Sequence, residues 1–150
     1  MKKLFLYYSL TGNGDMLAPL FEAHDYQIRK VTEKKKMPKS FFWRVFAGGF
    51  RAGLNLKGKL VDYDNDVSEF EEIVIGSPIW NGRFPPAINA VLAQTDLSKC
   101  KLTFLFYSGS GEGAKASEKA KKLFKDPDII FLQEPKKHEG ELSKLEPLFK

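Results

Sequence analysis

The sequence is poor in features that would mark a secreted, membrane or nucleic-acid-binding protein. It has one cysteine, Cys100, in 150 residues, so the chain cannot form an internal disulfide. No apolar run approaches the roughly 20 residues that a membrane-spanning helix needs, and the first residues lack the small-residue cleavage site of a secretory signal. These absences predict a cytoplasmic protein without an integral membrane segment. Cys100 itself is expected to serve as packing at the start of a strand, with a reactive thiol as the alternative.

Nucleic-acid motifs are also absent: the chain has no zinc-ligand set, RNA-binding signature or helix-turn-helix pattern, and we expect no nucleic-acid partner. Its net charge of +5 is unevenly spread. Residues 29–59 carry ten Lys or Arg and one acid, whereas residues 61–98 carry seven acids and one Arg. The basic and aromatic stretch 34–51 would suit an acidic redox partner or an anionic membrane surface. The simpler alternative is a helix with a packed aromatic side and solvated lysines.

Length and composition fit one domain spanning residues 1–150, since 43% of the residues are hydrophobic and no linker or repeat divides the chain. Short apolar runs predict four buried strands, and residues 26–31, where polar and apolar side chains alternate, predict a strand nearer an edge. The four buried strands are expected at residues 3–8, 72–76, 102–107 and 129–132. Near-continuous apolar strands are typical of a parallel sheet covered on both faces.

Amphipathic segments lie between these strands. A helix is expected over residues 15–23, where Pro19 must lie in the first turn or cause a kink. A second helix begins at Pro86, and a third, over residues 112–125, is expected to bury Ala116, Ala120, Leu123 and Phe124. Four apolar residues near the end predict a closing helix, and the aromatic segment 40–56 is expected to cover one sheet face. The alternation of strands and helices predicts an α/β fold with a doubly wound five-stranded parallel sheet and helices on both faces.

Ligands of such sheets bind at the carboxyl ends of the strands, where the strand order reverses. The first loop there places hydroxyls and glycines between a strand and a helix, which suits a phosphate at the helix N-terminus. It consists of Ser9, Leu10, Thr11, Gly12, Asn13 and Gly14. The loop has no P-loop lysine and no dinucleotide-type glycine spacing. A capped glycine-rich turn without a ligand is the alternative.

The second loop carries a tryptophan beside an Asn-Gly pair. A loop at a strand end is largely exposed, so Trp80 is expected to present its ring to a flat ligand, while Gly82 lets the backbone approach that ligand closely. The alternative is a turn that folds Trp80 back onto the core. The candidate residues here are Pro78, Ile79, Trp80, Asn81, Gly82 and Phe84.

The third loop alternates glycine with small polar residues, so its backbone amides are accessible to ring oxygens and nitrogens of a ligand. Its candidate residues are Ser108, Gly109, Ser110, Gly111 and Gly113. A flexible linker is the alternative, although linkers rarely separate a buried strand from a helix.

Taken together, the three loops resemble those of the flavodoxin family. Residues 9–13 are similar to the family's phosphate signature, and residues 76–82 are similar to the loop whose aromatic side chain stacks on the flavin. The prolines Pro85 and Pro86 match the end of that loop in many members of the family. The resemblance covers essentially the whole chain. It implies strand order 2-1-3-4-5, one bound FMN, and an Asn81-Gly82 peptide that turns over to accept a hydrogen bond from the reduced flavin.

Three features depart from the family pattern. Gly14 stands where the signature usually ends in threonine, and Asp15 follows it, so one hydroxyl is lost and a carboxylate near the phosphate would repel it. Both changes predict weaker FMN binding. The third loop lacks the aromatic that covers the outer face of the flavin, unless Phe84 or an aromatic of residues 41–50 replaces it. The chain is also basic, whereas flavodoxins are typically acidic.

The resemblance implies an FMN-dependent electron carrier that passes electrons between protein partners, with the flavin supplying the redox chemistry. The first alternative is an FMN-dependent NAD(P)H:flavin or quinone oxidoreductase, which an uncovered flavin ring favours. The second is a flavin-free interaction domain of the same fold, suggested by Gly14 and Asp15.

Overall fold

The computed structural model describes residues 1–34, 59–109 and 113–150. Three sequence-based predictions therefore lie partly or wholly outside the described residues. They are the aromatic segment 40–56, the basic stretch 34–51 beyond Lys34, and the loop residues Ser110 and Gly111.

Five parallel strands form one sheet in the order β2-β1-β3-β4-β5. The strands are β1 (Lys3–Tyr7), β2 (Tyr26–Lys30), β3 (Glu72–Pro78), β4 (Lys101–Ser108) and β5 (Asp128–Gln133). Each predicted strand matches its observed counterpart to within one or two residues at either end. The expected doubly wound order is confirmed. Because β1 has β2 on one side and β3 on the other, the loops after β1 and β3 emerge where the strand order reverses.

Helices cover both faces of this sheet. They are α1 (Asn13–Glu22), α2 (Pro86–Gln94), α3 (Ala114–Leu123) and a C-terminal 3-10 helix (Glu139–Leu148). On one face, Phe21 of α1 stacks on Phe5 of β1 with 4.0 Å between ring centroids, and Leu145 of the 3-10 helix joins the same buried cluster. On the other face, residues of α2 and α3 pack against alternate residues of the same strands. Successive strand residues point to opposite faces, so one run of apolar residues serves both cores.

Two details of the predicted helices are corrected. Of the two alternatives for Pro19, a place in the first turn is wrong, because Pro19 lies in the interior of α1. The helix continues past it to Glu22, and the Ala23 amide donates to the Pro19 carbonyl at 3.0 Å. Leu123, expected to be buried, is 53% exposed. Because α3 ends there and the next residue is extended, it is Phe124 that turns inward, with its ring centroid 5.8 Å from that of Phe104.

Within the described parts of the chain, every helix is too short or too polar to cross a membrane.

Candidate functional site

Backbone hydrogen bonds bring the three candidate loops together at the carboxyl edge of the sheet. After β1, the Tyr8 amide donates to the Gly76 carbonyl of β3 at 3.0 Å. After β3, the Ile79 amide donates to the Tyr107 carbonyl of β4 at 3.3 Å. The parallel register thus places the starts of all three loops side by side, as the sequence predicts.

The first loop closes directly onto the N-terminus of α1. Gly12 has a φ of +95°, a left-handed conformation that favours glycine, and it precedes the first residue of the helix. The Met16 amide donates to the Gly12 carbonyl at 3.0 Å, and the Gly14 amide donates to Ser9 Oγ at 3.1 Å. Ser9 therefore caps the helix, and the remaining amides of its first turn lie where no carbonyl of the helix itself can accept from them.

A lysine that sequence reasoning missed lies against this loop. Lys136, in the turn after β5, donates its backbone amide to Asn13 Oδ1 at 3.1 Å. Its Nζ lies 3.4 Å from the Thr11 carbonyl. A Cβ added at Gly12 would lie 3.3 Å from the same Nζ. The ammonium group and the positive end of the α1 dipole therefore lie at the same loop, and both favour a negatively charged group there.

The signal for this lysine was present in the sequence. Lys136 and Lys137 follow the fifth predicted strand, and in a parallel sheet that strand ends at the same edge as the three candidate loops.

Asp15, which was expected to disturb this loop, is paired with two residues outside it. Its carboxylate accepts a hydrogen bond from the Tyr7 hydroxyl at 2.9 Å and pairs with Lys30 Nζ at 2.7 Å. Partial burial would raise the pKa of Asp15. The hydrogen bonds from Lys30 and Tyr7, together with the charges of Lys30 and Lys136, outweigh burial and hold its pKa below the ordinary value. The negative charge of Asp15 is thus compensated by two lysines.

Position 14 holds glycine instead of the threonine usual in the family, and two tyrosines fill the space beside it. A Cβ at Gly14 would lie 2.6 Å from Tyr7 Cδ2 and 2.7 Å from the Tyr107 hydroxyl oxygen. Tyr107 is buried and donates its hydroxyl to the Tyr8 carbonyl, and burial raises the pKa of that hydroxyl well above its usual range. A side chain at position 14 has no room unless these rings move.

The second loop is a tight reversal. The amides of Trp80 and Arg83 donate to each other's carbonyls, at 3.0 and 3.1 Å. The two residues between them have positive φ angles, +53° at Asn81 and +74° at Gly82. This combination is typical of a type I′ turn, for which Asn-Gly is a favoured sequence. The Ala116 amide of α3 donates to the Gly82 carbonyl at 2.9 Å and so attaches the turn to that helix.

The two aromatics of this loop are less accessible than the sequence predicts. Trp80 is only 8% exposed and packs edge-on against Tyr8, with 5.9 Å between ring centroids. The alternative that Trp80 folds back onto the core therefore describes this conformation. Phe84 is 1% exposed and lies against Phe104 and Phe106. The suggestion that Phe84 covers the outer face of a flavin is not supported in this conformation.

The described ends of the third loop lie beside the second. Ser108 ends β4, and the Gly109 carbonyl accepts a hydrogen bond from Gln133 Nε2 at 3.2 Å. Gly113 directly precedes α3, and a Cβ there would lie 3.0 Å from Ile79 Cγ1. The described candidate residues of all three loops are therefore neighbours at one edge, and the same described ranges contain no cluster of metal-ligating side chains.

The crowding at Gly14 predicts a stability effect. Gly14→Ala forces a methyl group into two buried rings, and we expect it to lower the free energy of unfolding by about 1–3 kcal/mol. Gly109→Ala is the matched control, since a Cβ at Gly109 meets nothing within 4 Å. Urea denaturation of both variants tests this, and equal stability of the two would contradict the packing described at Gly14.

The ion pair of Asp15 predicts a pH dependence. Because the pKa of Asp15 is lowered on folding, its stabilising effect is present above the unfolded value and is lost as the pH falls through the folded pKa. We expect Asp15→Asn to reduce the acid-induced loss of stability below about pH 5. The effect should be no more than about 1 kcal/mol, since the pair is half exposed.

Urea denaturation at a series of acidic pH values measures this effect. Asp25→Asn is the control, because Asp25 is an exposed carboxylate in a left-handed conformation that asparagine also adopts. If both variants flatten the pH dependence equally, Asp15 has no special contribution.

No protein-family model and no curated protein sequence matches the chain. Solved structures do match it. A protein of Bacteroides eggerthii described as a flavoprotein is 16% identical with a TM-score of 0.72, and the match covers 97% of this chain and 96% of that one. A flavoprotein of Lactobacillus acidophilus, solved in complex with FMN, is 19% identical with a TM-score of 0.67, covering 86% and 89% of the two chains.

A third match is a flavodoxin from the domain Archaea, 16% identical with a TM-score of 0.54, covering 99% of this chain and 93% of the other. Identities this low establish a common fold. The strand order, the helices on both faces and these structural matches agree, and the chain has the flavodoxin-like fold.

Proposed function

We propose that this chain, folded as one domain over residues 1–150, binds FMN and transfers electrons through it between protein partners. The observation that carries the proposal is the anion site at the start of α1. There a left-handed glycine, the helix N-terminus and the Lys136 ammonium group meet at one loop.

The phosphate group of FMN fits this loop chemically. A helix N-terminus offers backbone amides and a positive dipole end to an anion, and Lys136 adds a full positive charge beside them. Ser9 and Thr11 offer hydroxyls, although Ser9 already accepts from the Gly14 amide. The charge of Asp15 is directed to Lys30, so it opposes phosphate binding less than its position in the sequence suggests. Lys136 offsets the lost threonine.

The flavin ring would lie toward the second and third loops. The residues proposed to border it are Pro78, Ile79, Trp80, Asn81, Gly82, Ser108, Gly109, Ser110, Gly111 and Gly113. Trp80 is held against Tyr8, so the contact surface offered to the ring in this conformation is mainly the backbone of the turn at Asn81 and Gly82. When bound, FMN supplies one-electron and two-electron redox chemistry. The chain's own residues bind the cofactor and tune the environment of its ring.

The Lactobacillus acidophilus protein supports the proposal, because a flavoprotein of this fold holds FMN. In this fold class, ligands bind outside the carboxyl ends of the strands, which is where the candidate loops meet. The proposal names the protein partner only by its class, another redox protein.

FMN titration of the purified protein tests the proposal, with binding followed by the flavin's visible absorbance and quenched fluorescence. We expect saturable uptake of one FMN per chain. Lys136→Gln should weaken FMN binding by about tenfold, the loss of roughly 1.4 kcal/mol of phosphate binding, and should leave riboflavin binding unchanged, because riboflavin has no phosphate.

Lys137→Gln is the matched control, since Lys137 is the adjacent exposed lysine and pairs with Glu134 at 3.2 Å. A protein that takes up neither flavin would overturn the proposal and favour the flavin-free interaction domain. If the two lysine variants lose FMN affinity equally, Lys136 does not bind the phosphate group.

The burial of Phe84 favours a second candidate function. With Phe84 packed under Phe104 and Phe106, it does not cover the outer face of a bound flavin, and hydride transfer requires that face to be open. The alternative is thus an FMN-dependent NAD(P)H:flavin or quinone oxidoreductase.

Steady-state oxidation of NADPH or NADH by the FMN-saturated protein separates the two functions. The electron-carrier proposal predicts no oxidation above that of free FMN at the same concentration. Turnover that saturates with the nicotinamide nucleotide and is stimulated by a quinone would establish the oxidoreductase instead.

A further inference from the structure

A basic cleft lies between the turn after β3 and the outer side of α3. It has a volume of about 380 Å³ and is lined by Arg83, Phe84, Lys115, Ala116, Glu118, Lys119 and Lys122. Four of these residues are cations and one is an acid, so the lining carries a net charge of +3. The cleft shares no lining residue with the phosphate loop at the start of α1, so it is a separate site.

Arg83 lines this cleft, and one of its side-chain nitrogens is buried. Its Nε is shielded from solvent and has no hydrogen-bond partner among the described residues. A buried donor of this kind is normally satisfied, because leaving it unpaired costs the full desolvation of the group. The Arg83 backbone is fixed by two hydrogen bonds to Trp80, so the start of the side chain is held in place.

Three lysines of α3 lie on the same side of the helix as the cleft. Lys115, Lys119 and Lys122 are four and three residues apart, the spacing that places side chains on one helix face. Lys119 is held by a 2.8 Å hydrogen bond to Asn89 Oδ1 and lies over the Phe84 ring at 6.0 Å. The lysine face is therefore partly pre-organised by contacts with α2 and the second loop.

We propose that this cleft binds the phosphate group of a small-molecule ligand. The arginine fork suits the oxygens of a phosphate, and lysines add point charges around it. A concave site of this volume is of the size that small ligands occupy, whereas a flat protein surface would leave it unfilled. Glu118 lowers the net charge of the cleft lining to +3, which a phosphate or pyrophosphate group can largely neutralise.

The cleft adjoins the turn that is proposed to border the flavin. The Ala116 amide, beside the cleft, donates to the Gly82 carbonyl at 2.9 Å, and a Cβ at Gly82 would lie 4.0 Å from Lys115 Cδ. A ligand anchored here by its phosphate is thus held next to Asn81 and Gly82. That this ligand donates electrons to the flavin or accepts them rests on the proposed function. That the ligand binds in the cleft does not.

Calorimetric titration with inorganic pyrophosphate tests the site, on protein saturated with FMN and on protein given none. We expect the double variant K115Q/K122Q to weaken pyrophosphate binding by about tenfold or more. The matched control K121Q/K125Q removes two exposed lysines that do not line the cleft, and it should change binding by less than about twofold, the effect of general charge alone. R83K, which keeps the charge and removes the planar guanidinium fork, should also weaken binding.

Equal losses in the two double variants, or the absence of saturable binding, would overturn the proposal. If Lys136→Gln rather than K115Q/K122Q abolishes binding, the pyrophosphate belongs to the α1 loop and the cleft proposal is wrong. If FMN is not taken up but K115Q/K122Q still selectively loses pyrophosphate, the proposed function fails and the cleft stands. Should R83K fail to fold, the double variant decides alone.

The same titrations with NADPH distinguish the sources of the phosphate. Tighter binding of NADPH than of pyrophosphate, lost in K115Q/K122Q, identifies a dinucleotide ligand. Binding of pyrophosphate alone identifies a free anion. Either result supports the site.

Discussion

The contact of Gly14 with Tyr7 and Tyr107 is the constraint on which the candidate site depends. The two rings come from β1 and β4, and the backbone of α1 approaches them so closely that a Cβ at position 14 would lie within 2.7 Å of both. This contact fixes the N-terminus of α1 against the sheet. The loop at residues 9–14, its Ser9 hydrogen bond and its Lys136 contact depend on that position, and so does the absence of the expected threonine.

Charge around this loop is balanced by residues that are distant in the sequence. Asp15 belongs to α1, Lys30 ends β2, and Lys136 follows β5, yet all three lie at the same edge of the sheet. The parallel topology causes this, because every strand ends at that edge. The negative charge of Asp15 beside this loop is compensated by these two lysines, which follow or end other strands. The basic cleft likewise combines residues that are distant in the sequence, since Arg83 of the second loop lies beside the lysines of α3.

Sequence reasoning predicted the strands and their order well, because apolar runs and the family resemblance both depend on local residue patterns. It failed where the outcome depends on what a side chain meets across the fold. The loop position of Trp80 predicts exposure, but its ring packs against Tyr8, 72 residues away in the sequence. Leu123 has helical spacing with Ala116 and Ala120, but α3 ends at that residue and exposes it. Lys136 follows the fifth predicted strand, but only the tertiary structure shows that it contacts the loop before α1.

The sequence by itself determined the α/β class, the five strands, the three glycine-rich loops and their position at the carboxyl edge. These properties follow from hydrophobic periodicity and from glycine and proline positions, which act over a few residues. Only the tertiary structure decided which groups surround the loop at α1, that Phe84 and Trp80 are packed inward, and that a cationic cleft lies beside Gly82. Those outcomes depend on contacts between residues tens of positions apart, and steric exclusion and charge pairing at such contacts leave no local pattern in the sequence.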